Sequence, residues 1–222
     1  MFLAQLRETC MTIALNRVAG TRFLVCVAAV LGSGCVDSPT SYRVEGAKTD
    51  FCVPGTLDAT PSRRGHEDPV VGGFTLHGCY SAHSEACIGP DNLISAAVVA
   101  KSHFPGRRFG DLPQGSHLRT SAIEGWQGAK TLEKGLLAVP DGGDKGHFFV
   151  WRPSARTATQ PSDDDELMAS CDTLGNVSCS RVFHGDDFAV TYSFVTEKEV
   201  PNDFSSLDRQ VLNEVERMRC RR

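Results

Sequence analysis

Apolar and polar residues alternate most regularly at residues 188–195, which read FAVTYSFV. Alternation with a period of two puts successive side chains on opposite faces of a strand, so this segment is predicted to be a half-buried β-strand. Shorter apolar runs at 73–76 and 148–151 also predict strands. The continuous run at 93–100 has strand length, although its pattern fits a buried helix as well. Residues 101–127 are rich in glycine, proline and charge, which predicts long surface loops around short strands.

After Pro201 the spacing of apolar residues changes to three and four positions, which predicts a helix that packs one face on the sheet. Asn202 or Asp203 stands where an N-cap is expected. The apolar face of this helix consists of Phe204, Leu207, Val211, Val215 and Met218. Several strands followed by one helix, without an internal repeat, predict an α+β domain with a mostly antiparallel β-sheet and a C-terminal helix.

The first apolar run of the chain, FLVCVAAVL at 23–31, has the layout of a secretory signal. It follows two arginines, and small residues separate it from Cys35. Its nine residues are too few to cross a bilayer as a helix, which takes about 20 apolar residues. Residues 1–34 are therefore predicted to be a signal peptide, with translation starting at either Met1 or Met11.

With cysteine directly after Gly-Ser-Gly, this segment resembles the lipobox of bacterial lipoprotein signals. The resemblance implies cleavage before Cys35 and a lipid on its sulfur, which anchors the protein to a membrane on the periplasmic side. Val36, in place of aspartate, favours the outer membrane. The polar residues that follow predict a flexible tether over 35–50 and a single domain over 51–222. Ordinary secretion, with Cys35 in a disulfide, is the alternative.

Six of the nine cysteines remain after the predicted signal peptide and anchor are set aside. They are Cys52, Cys79, Cys87, Cys171, Cys179 and Cys220. An even number behind an export signal predicts up to three disulfides in an oxidising compartment. Proximity in the chain favours Cys171–Cys179 and some pair among Cys52, Cys79 and Cys87. Zinc is the weaker alternative, because no C-x-x-C pair occurs.

The charge and the motifs exclude several functions. The exported part is more acidic than the full chain, whose net charge is −4, because the predicted signal peptide carries three arginines and one glutamate. Without a basic cluster we expect no nucleic-acid partner. Neither G-x-S-x-G nor H-E-x-x-H occurs, and the pairs at 116–117 and 186–187 are typical of polar turns. We therefore predict a protein that is not an enzyme and that needs no metal or cofactor.

Two features are candidate contacts for a partner protein. The first is a run of four acids, Asp163, Asp164, Asp165 and Glu166. The run is either a solvated loop or a contact for a basic partner, since complementary charge speeds encounter and selects partners. The second is Trp126, which lies in a glycine-flanked loop and is a candidate interface anchor, whereas Trp151 at the end of an apolar strand is predicted to be core.

Several segments occur in an order that resembles a known family. The lipobox leads to Phe-Cys-Val-Pro at 51–54, a strand ending in Gly-Cys at 74–79, an aromatic-alternating strand at 190–194 and a closing helix at 207–211. This order resembles the immunity lipoproteins that protect bacteria from lipase effectors of the type VI secretion system. The resemblance covers the two ends of the exported chain.

The resemblance implies a non-catalytic protein, tethered in the periplasm, that binds a cognate phospholipase effector and blocks its active site or its access to lipid. It also implies that Cys52 and Cys79 form a structural pair. Two other functions stay open: a structural or assembly lipoprotein of the envelope without a toxin partner, and a secreted hydrolase with an unrecognised site.

Overall fold

Eleven strands and two helices are present in the part of the chain that the computed structural model describes. That part is residues 38–221 without 49, 58, 64–70, 81–86, 105, 143–145, 156–158, 174–175, 197–199 and 202–203. The strands are β1 (Thr40–Tyr42), β2 (Phe51–Val53), β3 (Ala59–Arg63), β4 (Val71–His77), β5 (Leu93–Ala100), β6 (Lys130–Thr131), β7 (Leu137–Pro140), β8 (His147–Arg152), β9 (Glu166–Asp172), β10 (Val177–His184) and β11 (Phe188–Thr196). The helices are α1 (His117–Gly125) and α2 (Ser205–Arg217).

All but the first two strands belong to one antiparallel sheet in the order β3-β4-β5-β11-β10-β9-β8-β7-β6. The alternating segment at 188–195 is central β11, and the run at 93–100 is its neighbour β5 and not a helix. Together with helix α2 and three disulfides, this sheet confirms the α+β fold, with its mostly antiparallel strands and C-terminal helix. The predicted signal peptide and Cys35 lie outside the described residues.

Helix α2 covers one face of the sheet, as its apolar spacing predicts. Val211 and Val215 are fully buried in a large core that also takes in Phe74 and Phe194 from the strands. The two candidate N-cap residues lie outside the described part, and Phe204 occupies the cap position without a side-chain cap bond. The helix is therefore held mainly by the burial of its apolar face.

Helix α1 corrects the prediction of surface loops at 101–127. Ser116 caps it by accepting a hydrogen bond from the backbone N–H of Arg119 at 3.4 Å. With two short 3₁₀ turns it covers β7 and β8 on the sheet face opposite α2. The helix approaches β7 so closely that a Cβ on Gly125 would lie 2.1 Å from the carbonyl oxygen of Pro140, which explains the glycine there.

A second, smaller core lies under α1. Its buried members are Phe109, Leu112, Ala122, Trp126, Val139, Phe149 and Trp151. Trp151 is core, as predicted, but Trp126 is only 4% exposed and its ring meets that of Trp151 edge-on at 6.2 Å between centroids. The prediction of Trp126 as an interface anchor is therefore wrong, because α1 buries the ring against the sheet.

The folded domain begins earlier than predicted. Strand β1 pairs with β2 through Ser41 and Cys52, and Tyr42 and Val44 are buried in the main core. The Tyr42 ring stacks on Phe74 at 4.9 Å between centroids. The tether predicted for 35–50 is therefore wrong from β1 onward, since two apolar side chains in an otherwise polar stretch attach it to the core.

Three disulfides join the six cysteines. Cys171–Cys179 links directly opposite positions of β9 and β10 and confirms the prediction from proximity, as does Cys79–Cys87. The pairing of Cys52 with Cys79 is wrong. Cys52 bonds to Cys220, because β2 lies beside the chain end and its amide donates to the carbonyl of Met218 at 2.6 Å.

Candidate binding face and an adjoining Asp–His–Ser chain

The sheet face opposite α2 exposes small and hydroxyl-bearing side chains over β4, β5, β11 and β10. These positions alternate with the core positions of the same strands, and each is partly or fully exposed. They are Thr75, His77, Ser95, Ala97, Val99, Ser178, Ser180, Val182, Thr191 and Ser193. We call this set the hydroxyl face. None of its ten members is Asp, Glu, Lys or Arg, the residues that most often cover a solvated surface.

One row of this face continues onto the neighbouring strand β9 and forms a line of serines across four strands. Ser170 on β9 lies opposite Ser180 on β10, which lies opposite Ser193 on β11, which lies opposite Ser95 on β5. The hydroxyls of Ser180 and Ser193 are 2.8 Å apart and share a hydrogen bond. Beyond Ser170 the row continues to Phe149 of the smaller core. Helix α1 and this smaller core, which we call the α1 module, therefore border the hydroxyl face on one side.

A partly buried hydrogen-bond chain ends at Ser170. Asp141, 7% exposed, accepts a hydrogen bond from the hydroxyl of Ser121 at 2.8 Å, and its second oxygen is 3.1 Å from Nδ1 of His147. Nε2 of His147 is 2.7 Å from the hydroxyl oxygen of Ser170. Because a carboxylate only accepts, the proton of the neutral imidazole lies on Nδ1, and Nε2 of that form accepts from the Ser170 hydroxyl. A second imidazole, His117, has its Nε2 3.8 Å from Asp141.

Four parts of the fold contribute the residues of this hydrogen-bond chain. Asp141 follows β7 and His147 begins β8, so the hairpin between them brings the two side chains together. Helix α1 contributes Ser121, and β9 contributes Ser170, opposite Phe149 in the strand register. Sequence reasoning missed the set, because it depends on strand register and follows no motif.

The Asp–His–Ser hydrogen-bond chain has the side chains of a serine hydrolase, but the backbone around Ser170 differs from that of a nucleophile elbow. In hydrolases with a nucleophile elbow, the amide after the serine binds the oxyanion. Here β9 is paired at Ser170 on both sides, with Phe149 of β8 and with Ser180 of β10. The backbone amides of Ser170 and Cys171 therefore belong to the hydrogen-bond ladders of the sheet. The site therefore contains a base, His147, and an orienting carboxylate, Asp141, next to the Ser170 hydroxyl. These two backbone amides do not act as oxyanion donors there.

The acidic run divides between surface and interior. Asp163 and Asp164 are exposed at a turn, and a carboxylate oxygen of Asp164 is 3.7 Å from Arg108. Glu166 is half-buried between Arg107 at 2.6 Å and Arg152 at 3.0 Å. The run does not form a single exposed patch, since Glu166 is half-buried between two arginines and Asp165 is fully buried. Partner contact by the exposed pair at 163–164 stays a prediction.

Asp165 is the buried member of the run. It is fully buried and accepts from the amide of Ser154 at 2.6 Å, from the Ser154 hydroxyl at 2.8 Å and from the amide of Ser162 at 2.8 Å. These bonds close the loop between β8 and β9. The loop also holds the 3₁₀ turn with which the α1 module begins, because the amide of Phe109 donates to the carbonyl of Asp165.

Asp165→Asn is expected to lower the free energy of unfolding by about 2 kcal/mol, because an amide NH₂ replaces one acceptor oxygen facing these donors. Urea unfolding followed by tryptophan fluorescence measures the loss. Asp164→Asn, one position away at the surface, is the matched control and should change stability by less than about 0.5 kcal/mol. Equal effects of the two variants would show that Asp165 does not hold the loop.

A cleft of about 330 Å³ lies beside the hairpin of the Asp–His–Ser chain. His147 lines it together with mostly apolar residues, among them Leu132, Pro140 and Phe148. Within the described ranges no three His, Cys, Asp or Glu side chains are grouped so that they could hold a metal ion. The described helices are all too short or too polar to cross a membrane.

Comparison with known proteins adds no assignment. No protein-family model matches the chain, and neither the curated proteins nor the solved structures contain a match.

Proposed function

We propose that this protein is a lipid-anchored periplasmic immunity protein. It binds a phospholipase effector of the type VI secretion system and thereby neutralises it. The observation that carries the binding role is the hydroxyl face, ten partly or fully exposed positions of which none is charged. Interface centres are depleted of charge in the same way, because a charge buried without a partner is costly. The resemblance of the chain ends to immunity lipoproteins supports the nature of the partner.

The size of the face suits a protein partner. With strands about 4.8 Å apart and same-face residues about 6.8 Å apart along each strand, the ten positions cover roughly 330 Å². This is about two fifths of what one partner contributes to a standard interface of ~800 Å² per side. The bordering α1 module and the exposed acids at 163–164 offer the remaining contact area.

The first experiment tests the immunity function directly. The lipase effector encoded beside this protein is directed to the periplasm of a host cell, with and without co-expression of the full-length protein. We expect the effector alone to stop growth and co-expression to restore it. A Cys35→Ser variant, which cannot carry the lipid, tests whether the anchor is needed. Absence of any such effector gene, or failure of rescue by a folded protein, contradicts the proposal.

A charge placed on the hydroxyl face is expected to abolish binding. Ser193→Arg puts a cation in the middle of the face, and burying it without a partner costs several kcal/mol, so we expect at least a 100-fold rise in Kd. Gln210→Arg, at an exposed position of α2 on the other side of the sheet, is the matched control and should bind like the wild type. Calorimetry with the purified effector measures both.

If both variants bind equally well while remaining folded, the partner docks elsewhere and the hydroxyl face is not the interface. If neither variant nor the wild type binds the effector, the immunity function itself is wrong.

A further inference from the structure

We propose that Ser170 is a nucleophilic serine, activated by His147 and able to accept an acyl group from a carboxylic ester. This goes beyond the binding role, which requires no reactive group. The proposal rests on the order of the hydrogen bonds: Asp141 to Nδ1 of His147 at 3.1 Å, and Nε2 of His147 to Ser170 at 2.7 Å. A nucleophile, a base and a group that orients the base are the parts that activation of a serine requires.

The base is set in the correct tautomer and held in place. The carboxylate of Asp141 is itself fixed by the Ser121 hydroxyl at 2.8 Å, so it keeps the proton on Nδ1 and leaves Nε2 unprotonated. The ring of His147 packs edge-on against Phe149 at 4.8 Å between centroids, which restricts its rotation. Nothing has to rearrange before Nε2 takes the serine proton.

The nucleophile is accessible. Ser170 is partly exposed, and the side chain of His147 is 19% exposed, so a small ester reaches both groups from the side of the hydroxyl face. Two similar serines, Ser180 and Ser193, continue the same row but share a hydrogen bond with each other. The matched control is therefore Ser206, an exposed serine of α2 that lies outside the hydroxyl face.

The reaction balances without a cofactor. The Ser170 oxygen forms a bond to the ester carbonyl carbon while its proton passes to Nε2 of His147. The bond from that carbon to the alcohol oxygen then breaks, and His147 returns the proton to the departing alcohol. Because β9 pairs on both sides at Ser170, the neighbouring amides do not stabilise the oxyanion. We therefore expect the acyl-serine to form mainly from activated esters and to turn over slowly.

The test uses the full-length chain with its disulfides formed. It is incubated with p-nitrophenyl butyrate, and separately with a fluorophosphonate probe, and the adducts are located by peptide mass spectrometry. We expect release of about one p-nitrophenol per protein and an adduct on Ser170. Ser170→Ala should lose the adduct, whereas Ser206→Ala, at an exposed position of α2 outside the hydroxyl face, should keep it. A folded wild type without an adduct, or an adduct unaffected by Ser170→Ala, overturns the proposal.

The roles of the two partners are tested separately. His147→Ala should slow labelling at least 100-fold, since general-base catalysis contributes about 10²–10⁴, and added imidazole should restore part of the rate. Asp141→Asn should reverse the tautomer, which ¹⁵N chemical shifts of His147 report, and slow labelling by a similar factor. Labelling at the wild-type rate in folded His147→Ala would show that Ser170 reacts without a base.

Discussion

Replacing Cys52 and Cys220 together by alanine is expected to lower the free energy of unfolding by about 5 kcal/mol. The two residues are 168 positions apart, so their disulfide closes a loop that includes nearly the whole domain. In the chain-entropy account, the gain from a cross-link grows with the logarithm of the loop length, which gives this value for such a loop. We expect this disulfide to be the most stabilising of the three.

The native contacts around this disulfide are numerous enough to keep the folded structure without it. The amide of Cys220 donates to the carbonyl of Asp50 at 2.9 Å, and Arg219 forms an ion pair with Asp187 at 2.9 Å. The guanidinium of Arg219 also lies over the rings of Phe51 and Phe188, 5.8 and 5.0 Å from their centroids. The loss should therefore come mainly from a more disordered unfolded state, with little change in the folded one.

The matched control is removal of the disulfide between Cys79 and Cys87, which closes a loop with a sequence separation of only 8. The same account gives about 2.5 kcal/mol for this pair. Urea unfolding without reductant, with circular dichroism as the probe, compares the two double variants with the wild type. Equal losses would contradict the loop-length explanation, and an altered native spectrum would show that the Cys52–Cys220 bond shapes the folded state.

The parts of the fold that the sequence predicts are those governed by local periodicity. Strand β11 carries a regular apolar pattern over more than three alternations, and helix α2 carries one over more than two turns. The pattern alone therefore predicts that the first is a strand and the second a helix. Helix α1 has nine residues and only two core-facing apolar side chains, Leu118 and Ala122, within a glycine-rich stretch. Its stability depends on the smaller core, which no local pattern reveals.

The candidate sites depend even more on tertiary structure. Ser170 and His147 are 23 positions apart and meet because β8 and β9 pair in a register that places Ser170 opposite Phe149, two positions from His147. In the same way Asp165 differs from Asp164 only by the geometry of one turn, which points one carboxylate inward and the other to solvent. Composition and motif identify the residue types here but not their partners.

Asp208→Asn is expected to lower the free energy of unfolding by about 3 kcal/mol, the lower end of the range for removing one partner of a buried ion pair, because the Asp208 side chain is itself 23% exposed. Its two carboxylate oxygens accept from Arg181 at 2.7 and 2.6 Å, and the Tyr192 hydroxyl donates to it at 2.6 Å. The side chain of Arg181 is only 4% exposed. This ion pair joins α2 to the middle of the sheet, so its loss leaves a buried cation with a weaker acceptor.

The pKa shifts of Arg181 and Tyr192 agree with a tightly held network around Asp208. Burial disfavours the charge on Arg181, but hydrogen bonding and attraction from Asp208 outweigh it and raise the pKa of the guanidinium. Burial, together with the hydrogen bond to Asp208, raises the pKa of Tyr192 far above its usual value, so the phenol remains a donor. Arg181 also lies over the Phe204 ring at 4.8 Å and donates to the Met168 carbonyl at 2.5 Å.

Urea unfolding of three variants separates the ion pair from its individual charges. Arg217→Ala removes an exposed pair with Glu214 on the same helix and should cost less than about 1 kcal/mol. The double variant Arg181→Met with Asp208→Leu removes both charges and should be more stable than Asp208→Asn, because no unpaired charge is left buried. If the double variant is instead less stable than the single one, the cost of Asp208→Asn does not arise from the stranded cation.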